Sequence, residues 1–241
     1  MSNEALPLYL VDETSIIEQN DAAVRANTNL CKHVHMINMN LDFIDRVLRA
    51  HTHRTTDELM VLRLAVRCFN SGSAALRLAR MGYYNQCRAL IRDIMETTLL
   101  LDLFGRDPSS IREWTNASEK ERNHKFGALR VRFRLEELDR EGGGEPVDRE
   151  KTYKRFCTYG THASPESFVL ISPNAMTQIG PFPDVGLLTA MVEEIVQHLN
   201  FATIVFANHI PNNDARVLDI KASFYENIEA WSREFTQSQK L

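Results

Sequence analysis

From Ser15 to His53 the chain contains neither proline nor glycine, the two residues that most often interrupt a helix. Apolar residues recur in this stretch at alternating steps of four and three, which places them on one face of a helix. They are Leu30, Val34, Ile37, Leu41, Ile44 and Leu48. Such a stripe must be covered, either by a helix of the same chain or by a second copy. The sequence therefore predicts long, packed helices.

Residues that begin and end helices divide the rest of the chain. Thr55 and Glu58 have capping-box spacing, which predicts a helix to about Met81, and Gly82 ends it. The same reasoning predicts further helices at about 84–104, 109–141, 148–159, 184–209 and 214–238.

One segment, from Gly160 to Gly186, departs from this pattern because it holds four prolines. Within it, Phe168–Ile171 and Met176–Ile179 flank a turn-forming sequence, which predicts a small β-hairpin or else an irregular insert. We therefore expect an all-α fold: a multi-helix bundle of long antiparallel helices with this insert around residues 160–186. Residues 1–241 are expected to form a single helical domain.

Composition narrows the class of protein. A net charge of −4 argues against general attraction to nucleic acid or anionic membranes. The start of the sequence lacks the basic and apolar regions of a signal peptide, and the apolar run Leu199–Ile210 is too short to span a bilayer. A cytoplasmic protein with no membrane partner is expected. Nucleotide-cofactor enzymes and acyl-transfer hydrolases are disfavoured, because no glycine-rich phosphate loop or nucleophile elbow is present.

Charged residues interrupt the apolar third helix along a single line. Arg88, Arg92 and Glu96 are spaced four positions apart, so they form one stripe. The helix around them is apolar nearly all round, which predicts that these charges are half-buried and paired or hydrogen-bonded. Two interpretations follow. Either the charges form a structural ion cluster between helices, or the arginines bind an anion while Glu96 orients a histidine or a water molecule.

A second group of polar and aromatic residues precedes the proline-rich insert. Its members are Tyr153, Phe156, Cys157, Tyr159 and His162. If Gly160 ends the short helix, His162 lies near a helix C-terminus, where the helix dipole favours the protonated imidazole. Such a histidine can act as an acid or a base near neutral pH, or it can simply bond to loop carbonyl groups.

The segments GYYNQCRALIRDIMETTLLLDLF and YKRFCTYGTHASPES resemble a family of uncharacterised bacterial all-α proteins defined by a domain of unknown function. Its pattern is a glycine-aromatic entry, an Arg-x-x-x-Glu helix and a downstream Tyr…His loop. The matching positions are Gly82, Tyr83, Arg92, Glu96, Tyr153, Tyr159 and His162. The resemblance covers roughly residues 55–210 and implies a helical bundle in which Arg92, Glu96 and His162 converge.

Arg155 and His162, with six residues between them, also resemble the arginine–histidine motif of the HEPN superfamily. These helical bundles include metal-independent ribonucleases and are usually dimeric. The resemblance implies that His162 is a general acid/base for attack by a 2′-hydroxyl group and that Arg155 holds the phosphate. Two features differ from the motif: Phe156 replaces a polar residue, and His162 follows a short helix instead of beginning a long one.

Two other patterns carry weaker chemistry. Glu121 and His124 have the Glu-x-x-His spacing of di-iron helices, and Glu194 and His198 lie one turn apart, which raises a metal-dependent oxidase as a third hypothesis. The fourth predicted helix has a basic middle with interleaved glutamates, which is typical of an exposed, salt-bridged helix. Its basic residues are Lys120, Arg122, Lys125, Arg130, Arg132 and Arg134.

The leading hypothesis is a HEPN-like bundle that binds an anion or nucleic acid, with a metal-independent ribonuclease of defence or toxin type as its specific form. RNA or another phosphate-bearing ligand and a second copy in a homodimer are the expected partners, with no cofactor and no metal ligand. The expected catalytic residues are Arg92, Glu96 and His162, and the expected binding residues are Arg88, Arg155 and Tyr159. The alternative is a non-catalytic interaction or small-ligand-binding helical module in which this cluster is structural.

Overall fold

The computed structural model describes residues 12–145, 147, 149–156 and 165–235. Its regular elements within these residues are helices, which confirms the all-α, multi-helix bundle. The α-helices are α1 (Glu13–Ala26), α2 (Thr28–Ala50), α3 (Thr56–Arg80), α4 (Tyr84–Arg106), α5 (Ser109–Asn116), α6 (Glu119–Phe126), α7 (Ala128–Glu141), α8 (Arg149–Phe156), α9 (Val185–His209) and α10 (Ala215–Phe235).

The centre of the bundle is formed by α4 and α9. Helix α4 packs against α3, α9 and α7, while α9 also packs against α2 and α3. Both helices are apolar around most of their circumference, and Ile91, Leu101, Ile195 and Leu199 are completely buried. Helix α3 is long and apolar enough to cross a membrane, but 44% of its most apolar window is buried in the bundle, and the core helix of a soluble protein meets the same criterion.

The long first helix is broken at Asn27. The Asn27 side chain accepts hydrogen bonds from the backbone nitrogens of Asn29 and Leu30, at 3.0 and 3.1 Å, and so caps α2. The apolar stripe of α2 is covered within the chain, because Ile37 and Ile44 are buried and α2 packs on α9 and α10. Helices of the same chain therefore cover this stripe, and the homodimer stays a prediction.

The prediction of one helix from 109 to 141 is wrong, because this segment forms α5, α6 and α7. Ser118 accepts a hydrogen bond from the backbone nitrogen of Glu121, whose carboxylate in turn accepts from the backbone nitrogen of Ser118. This capping box begins a new helix, and Gly127 separates α6 from α7. The sequence contains the Ser-x-x-Glu spacing of a capping box, but it lies in a densely charged segment that also fits one continuous exposed helix.

The prediction of a β-hairpin in the insert is also wrong for the described residues, and the irregular alternative is correct. Pro165–Ile171 and Pro173–Ala175 form 3₁₀ segments. A backbone hydrogen bond from the nitrogen of Gln178 to the oxygen of Ile171, at 2.9 Å, closes the loop that contains the second segment. Two flanking 3₁₀ turns leave no extended run on the first side for a ladder to form, and proline contributes no backbone donor.

The end of this insert is fastened to the start of α4 by one tyrosine. The buried Tyr84 hydroxyl accepts from the backbone nitrogen of Asp184 at 3.0 Å and donates to the Asp184 backbone oxygen at 3.1 Å. Asp184 in turn caps α9, because its carboxylate accepts from the nitrogen of Leu187 at 2.8 Å. Tyr84 therefore fixes where α9 begins.

We expect Tyr84→Phe to lower the free energy of unfolding by about 2 kcal/mol, because it leaves the Asp184 backbone groups without their partner. Tyr83→Phe is the matched control. The Tyr83 hydroxyl donates to the Glu13 carboxylate at 2.6 Å in a position that water reaches, so its removal should lower the free energy of unfolding by less. Urea denaturation measures both, and equal losses would contradict the anchoring role of Tyr84.

Candidate functional site

The charged stripe of α4 meets α8 at a tyrosine. Arg92 Nε donates to Glu96 Oε1 at 2.8 Å, and Arg92 Nη2 donates to the Tyr153 hydroxyl at 2.8 Å. That hydroxyl donates to Glu96 Oε1, also at 2.8 Å, so the three side chains are joined to one another by three hydrogen bonds. The side chains of Arg92 and Glu96 are 20% and 39% exposed, so the predicted half-burial is confirmed. We call Arg92, Glu96 and Tyr153 the tyrosine cluster.

The ring of Tyr153 lies between two guanidinium groups. Arg92 Cζ lies 5.3 Å from the ring centroid, and Arg132 Cζ, from α7, lies 4.3 Å from it. Burial, together with the hydrogen bond to the Glu96 carboxylate, raises the pKa of Tyr153 to about 12. The phenol therefore stays protonated at neutral pH, where it serves as a hydrogen-bond donor and a cation–π surface rather than as a base.

A cavity of about 260 Å³ lies beside the tyrosine cluster, between α4, α7, α8 and α9. Its walls are mostly apolar, with a few charged groups among them. The lining residues are Met95, Thr98, Leu99, Arg106, Arg132, Val147, Arg149, Tyr153, His198 and Phe201. A concave apolar pocket with a small number of converging polar groups is the usual form of a small-molecule site.

A network of two aspartates and two arginines forms one side of the cavity. Asp139 of α7 accepts from Arg106 Nη1 and from Arg149 Nη1, each at 2.5 Å. Asp102 accepts from Arg106 Nε at 2.8 Å and lies 3.6 Å from Arg149. The hydrogen bonds from Arg149 and Arg106 hold the pKa of the Asp139 carboxyl far below its usual range. The network joins α4, α7 and α8, and its two carboxylates neutralise its two guanidinium groups.

Arg132 is the charged group of the cavity that has no such counter-ion. The residue is only 5% exposed, and its Nε donates to the backbone oxygen of Ala128 at 3.3 Å. Its Nη1 is buried and makes no hydrogen bond, and no carboxylate lies within ion-pair distance of it in the described part of the chain. A buried charge ordinarily requires a partner, so this wall of the cavity presents an anion-binding group.

Two glutamate–histidine pairs were candidates for a metal site, and the structure places them apart. Glu121 is occupied by the capping box of α6, while Glu194 Oε2 lies 3.4 Å from His198 Nε2 on α9. Over the described ranges, no three metal-ligating side chains come together. His198 of this second pair lines the cavity and contributes a second polar edge to it.

The structure brings together some of the predicted site residues. Arg92 and Glu96 meet Tyr153, which the family resemblance included, and Arg88 lies buried on the same helix. The side chain of Arg155 and the whole of Tyr159 and His162 fall outside the described residues. Their predicted roles remain predictions.

Arg132 was missed, and its assignment to a solvated basic face is wrong. It lies on the face of α7 that also carries Val131 and Leu135, which are buried against the bundle. A signal was present, because Ala128, Val131, Leu135 and Leu138 form an apolar stripe at helical spacing that includes positions 132 and 139.

Comparison with known proteins gives one match. Residues 58–156, which run from α3 to α8, match the model of a family described as a family of unknown function (DUF5677). No curated protein and no solved structure matches the chain. The part of the chain that holds the tyrosine cluster and Arg132 is therefore similar to an uncharacterised family, as the sequence resemblance predicted.

Proposed function

We propose that this chain binds a small organic anion in the cavity beside the tyrosine cluster, with Arg132 as the principal contact. The observation that supports this is the state of Arg132: its buried guanidinium lies at a cavity wall, its enclosed Nη1 makes no hydrogen bond, and it has no carboxylate partner among the described residues. Arginine suits this role, because its planar fork can bind a carboxylate or a phosphate through two donors.

The surrounding groups position Arg132 rather than neutralise it. Tyr153 supports one face of the guanidinium at 4.3 Å, and Tyr153 is itself held by Arg92 and Glu96. Arg106 and Arg149 are already paired with Asp102 and Asp139. In this proposal the Arg92–Glu96 pair holds Tyr153 and does not contact the ligand, in agreement with the small-ligand-binding alternative from the sequence, in which the cluster is structural.

The test compares two arginines of α7. Arg132→Met removes the buried charge but keeps an apolar side chain of similar length, and it leaves no carboxylate without its partner, so we expect the fold to be retained. Arg130→Met is the control, because Arg130 is exposed on the same helix. Octanoate, octanesulfonate and octyl phosphate serve as probes in thermal unfolding.

At least one probe should raise the melting temperature of the wild type and of the Arg130 variant, but not that of the Arg132 variant. At a probe concentration of 100 times Kd the stabilisation is about 2.7 kcal/mol, which thermal unfolding detects easily. Equal shifts in all three proteins, or no shift in any of them, would contradict the proposal.

A second candidate function is the ribonuclease implied by the HEPN-like arginine–histidine spacing. The observation that favours it is the position of α8, because Tyr153, the first residue of the Tyr…His segment, contacts Arg92 and Glu96. His162 follows nine positions later in the sequence. In this proposal His162 takes the proton of the 2′-hydroxyl as it attacks the phosphate, and Arg155 holds the phosphate. The bond from phosphorus to the 5′-oxygen breaks to leave a 2′,3′-cyclic phosphate, and the proton goes to the departing 5′-oxygen.

We expect purified protein to cleave RNA with and without a chelator, and His162→Ala to reduce the rate by about a hundredfold or more, as the loss of a general acid/base does. His124→Ala is the control, since His124 is exposed on α6. Gel analysis of several single-stranded and structured RNAs measures cleavage. Intact RNA with the wild type, or equal cleavage by both variants, would refute the ribonuclease and leave the anion site untouched.

A further inference from the structure

The charge balance around the cavity restricts the ligand. Arg106 and Arg149 are neutralised by Asp102 and Asp139, and Arg92 is paired with Glu96. His198 lies beside Glu194. Among the described residues that line the cavity, Arg132 alone is a buried positive charge without an ion-pair partner, so one negative charge on the ligand restores neutrality. A phosphate dianion would leave a second charge buried and uncompensated, which is costly.

The apolar residues that line the cavity indicate the nature of the uncharged part of the ligand. Met95 and Leu99 of α4 are almost fully buried where they line the cavity. Phe201 and Val147 also line it but are 46% and 60% exposed, so they mark the side that opens to solvent. An apolar body that covers these two side chains removes apolar surface from water, which favours binding.

The volume of the cavity indicates how many ligand atoms it can enclose. A dry apolar cavity of about 150 Å³ holds benzene, so a cavity of about 260 Å³ holds about ten non-hydrogen atoms. A nucleotide is about twice that size and would extend out of the cavity into solvent. A medium-chain fatty acid such as octanoate, or a small aryl-alkyl carboxylate, has about ten such atoms.

From these three constraints we infer that the natural ligand class is a monocarboxylate with a short apolar body, bound with its carboxylate on Arg132 and its body against Leu99 and Phe201. This inference rests on the proposed anion-binding function and specifies its ligand.

Titration calorimetry on the full chain tests the ligand class with four probes: octanoate, acetate, 1-octanol and octyl phosphate. Octanoate should bind most tightly, since acetate lacks the apolar body, octanol lacks the charge, and octyl phosphate carries excess charge. Arg132→Met should weaken octanoate binding by at least about tenfold, as loss of a charge-assisted hydrogen bond does.

Two phenylalanines of nearly equal exposure provide the matched comparison for the apolar body. Phe201, 46% exposed, lines the cavity, whereas Phe133, 45% exposed, lies on α7 outside it. Phe201→Ala should weaken octanoate binding by about fivefold through lost apolar contact, and Phe133→Ala by less than about twofold.

The outcomes separate the two proposals. If acetate or octyl phosphate binds at least as tightly as octanoate and this binding still requires Arg132, the anion site stands and the ligand class is overturned. If Phe201→Ala and Phe133→Ala have equal effects, the placement of the apolar body is overturned. If no probe depends on Arg132, both the ligand class and the proposed function fail.

Discussion

Asp139→Asn is expected to lower the free energy of unfolding by about 3 kcal/mol or more, the usual cost of removing one partner from a buried ion pair. The side chains of Asp139 and Arg149 are 9% and 8% exposed, so water cannot replace the lost carboxylate charge. Asp139 also accepts from Arg106 and from the backbone nitrogen of Val147. The substitution therefore weakens the attachment of α8 to α4 and α7, and octanoate binding should weaken with it.

The same carboxylate gives this prediction a pH dependence. Its pKa in the folded protein is held below the usual value by Arg149 and Arg106. A carboxyl group whose pKa is lowered by folding contributes its full stability above its unfolded pKa of about 4 and loses that stability as the pH falls further. The difference between wild type and Asp139→Asn should therefore be constant from pH 7 to pH 5 and should shrink below about pH 4.

Glu137→Gln is the control for this experiment. Glu137 lies on the same helix and pairs with Arg134 at 3.3 Å, but its side chain is 58% exposed. An exposed pair of this kind contributes about 0.5 kcal/mol at most. Urea denaturation over the pH range compares the two variants, and a loss below 1 kcal/mol for Asp139→Asn would show that the network does not hold α8.

Gly82→Ala is expected to have the second largest effect, about 3 kcal/mol, because it combines backbone strain with a steric overlap. Gly82 has a φ of 82°, in the left-handed region. A Cβ here would overlap the backbone oxygen of Phe182 and lie 2.8 Å from its nitrogen. The backbone at Phe182 cannot move aside easily, since Tyr84 fixes Asp184 two residues later.

A substitution at Gly143 distinguishes the backbone strain from the steric overlap. Its φ is 78°, similar to that of Gly82, but nothing lies within 4 Å of the position that a Cβ would occupy. Gly143→Ala should therefore lose only the backbone contribution, about 1 kcal/mol. Thermal or urea unfolding of both variants measures the difference. Equal losses would mean that the close approach of Phe182 contributes nothing to stability.

Local patterns in the sequence predicted most of the helices. Contacts within a few residues, at Thr55, Gly82 and Asp184, determine helix ends, so local sequence patterns predict them. The Arg92–Glu96 pair is equally local. The break between α5 and α6 was also local, but the charge of the surrounding run favoured a continuous exposed helix.

The rest depends on contacts between residues far apart in the chain. Tyr153 reaches Arg92 across 61 positions, a contact that no periodicity within α4 or α8 specifies. The burial of Arg132 follows from how α7 packs on α4. The alternating charges of α7 predicted a solvated helix, whereas the apolar stripe of the same helix predicted a buried face. The packing of α7 in the bundle agrees with the apolar stripe.

A crystal structure of the protein grown with octanoate tests the central claim most directly. We predict that the carboxylate lies within hydrogen-bond distance of the Arg132 guanidinium, with the alkyl chain between Leu99 and Phe201 and the Tyr153 hydroxyl still bonded to Glu96. An octanoate molecule bound elsewhere, or a cavity in which Arg132 pairs with a carboxylate of the chain itself, would contradict the account.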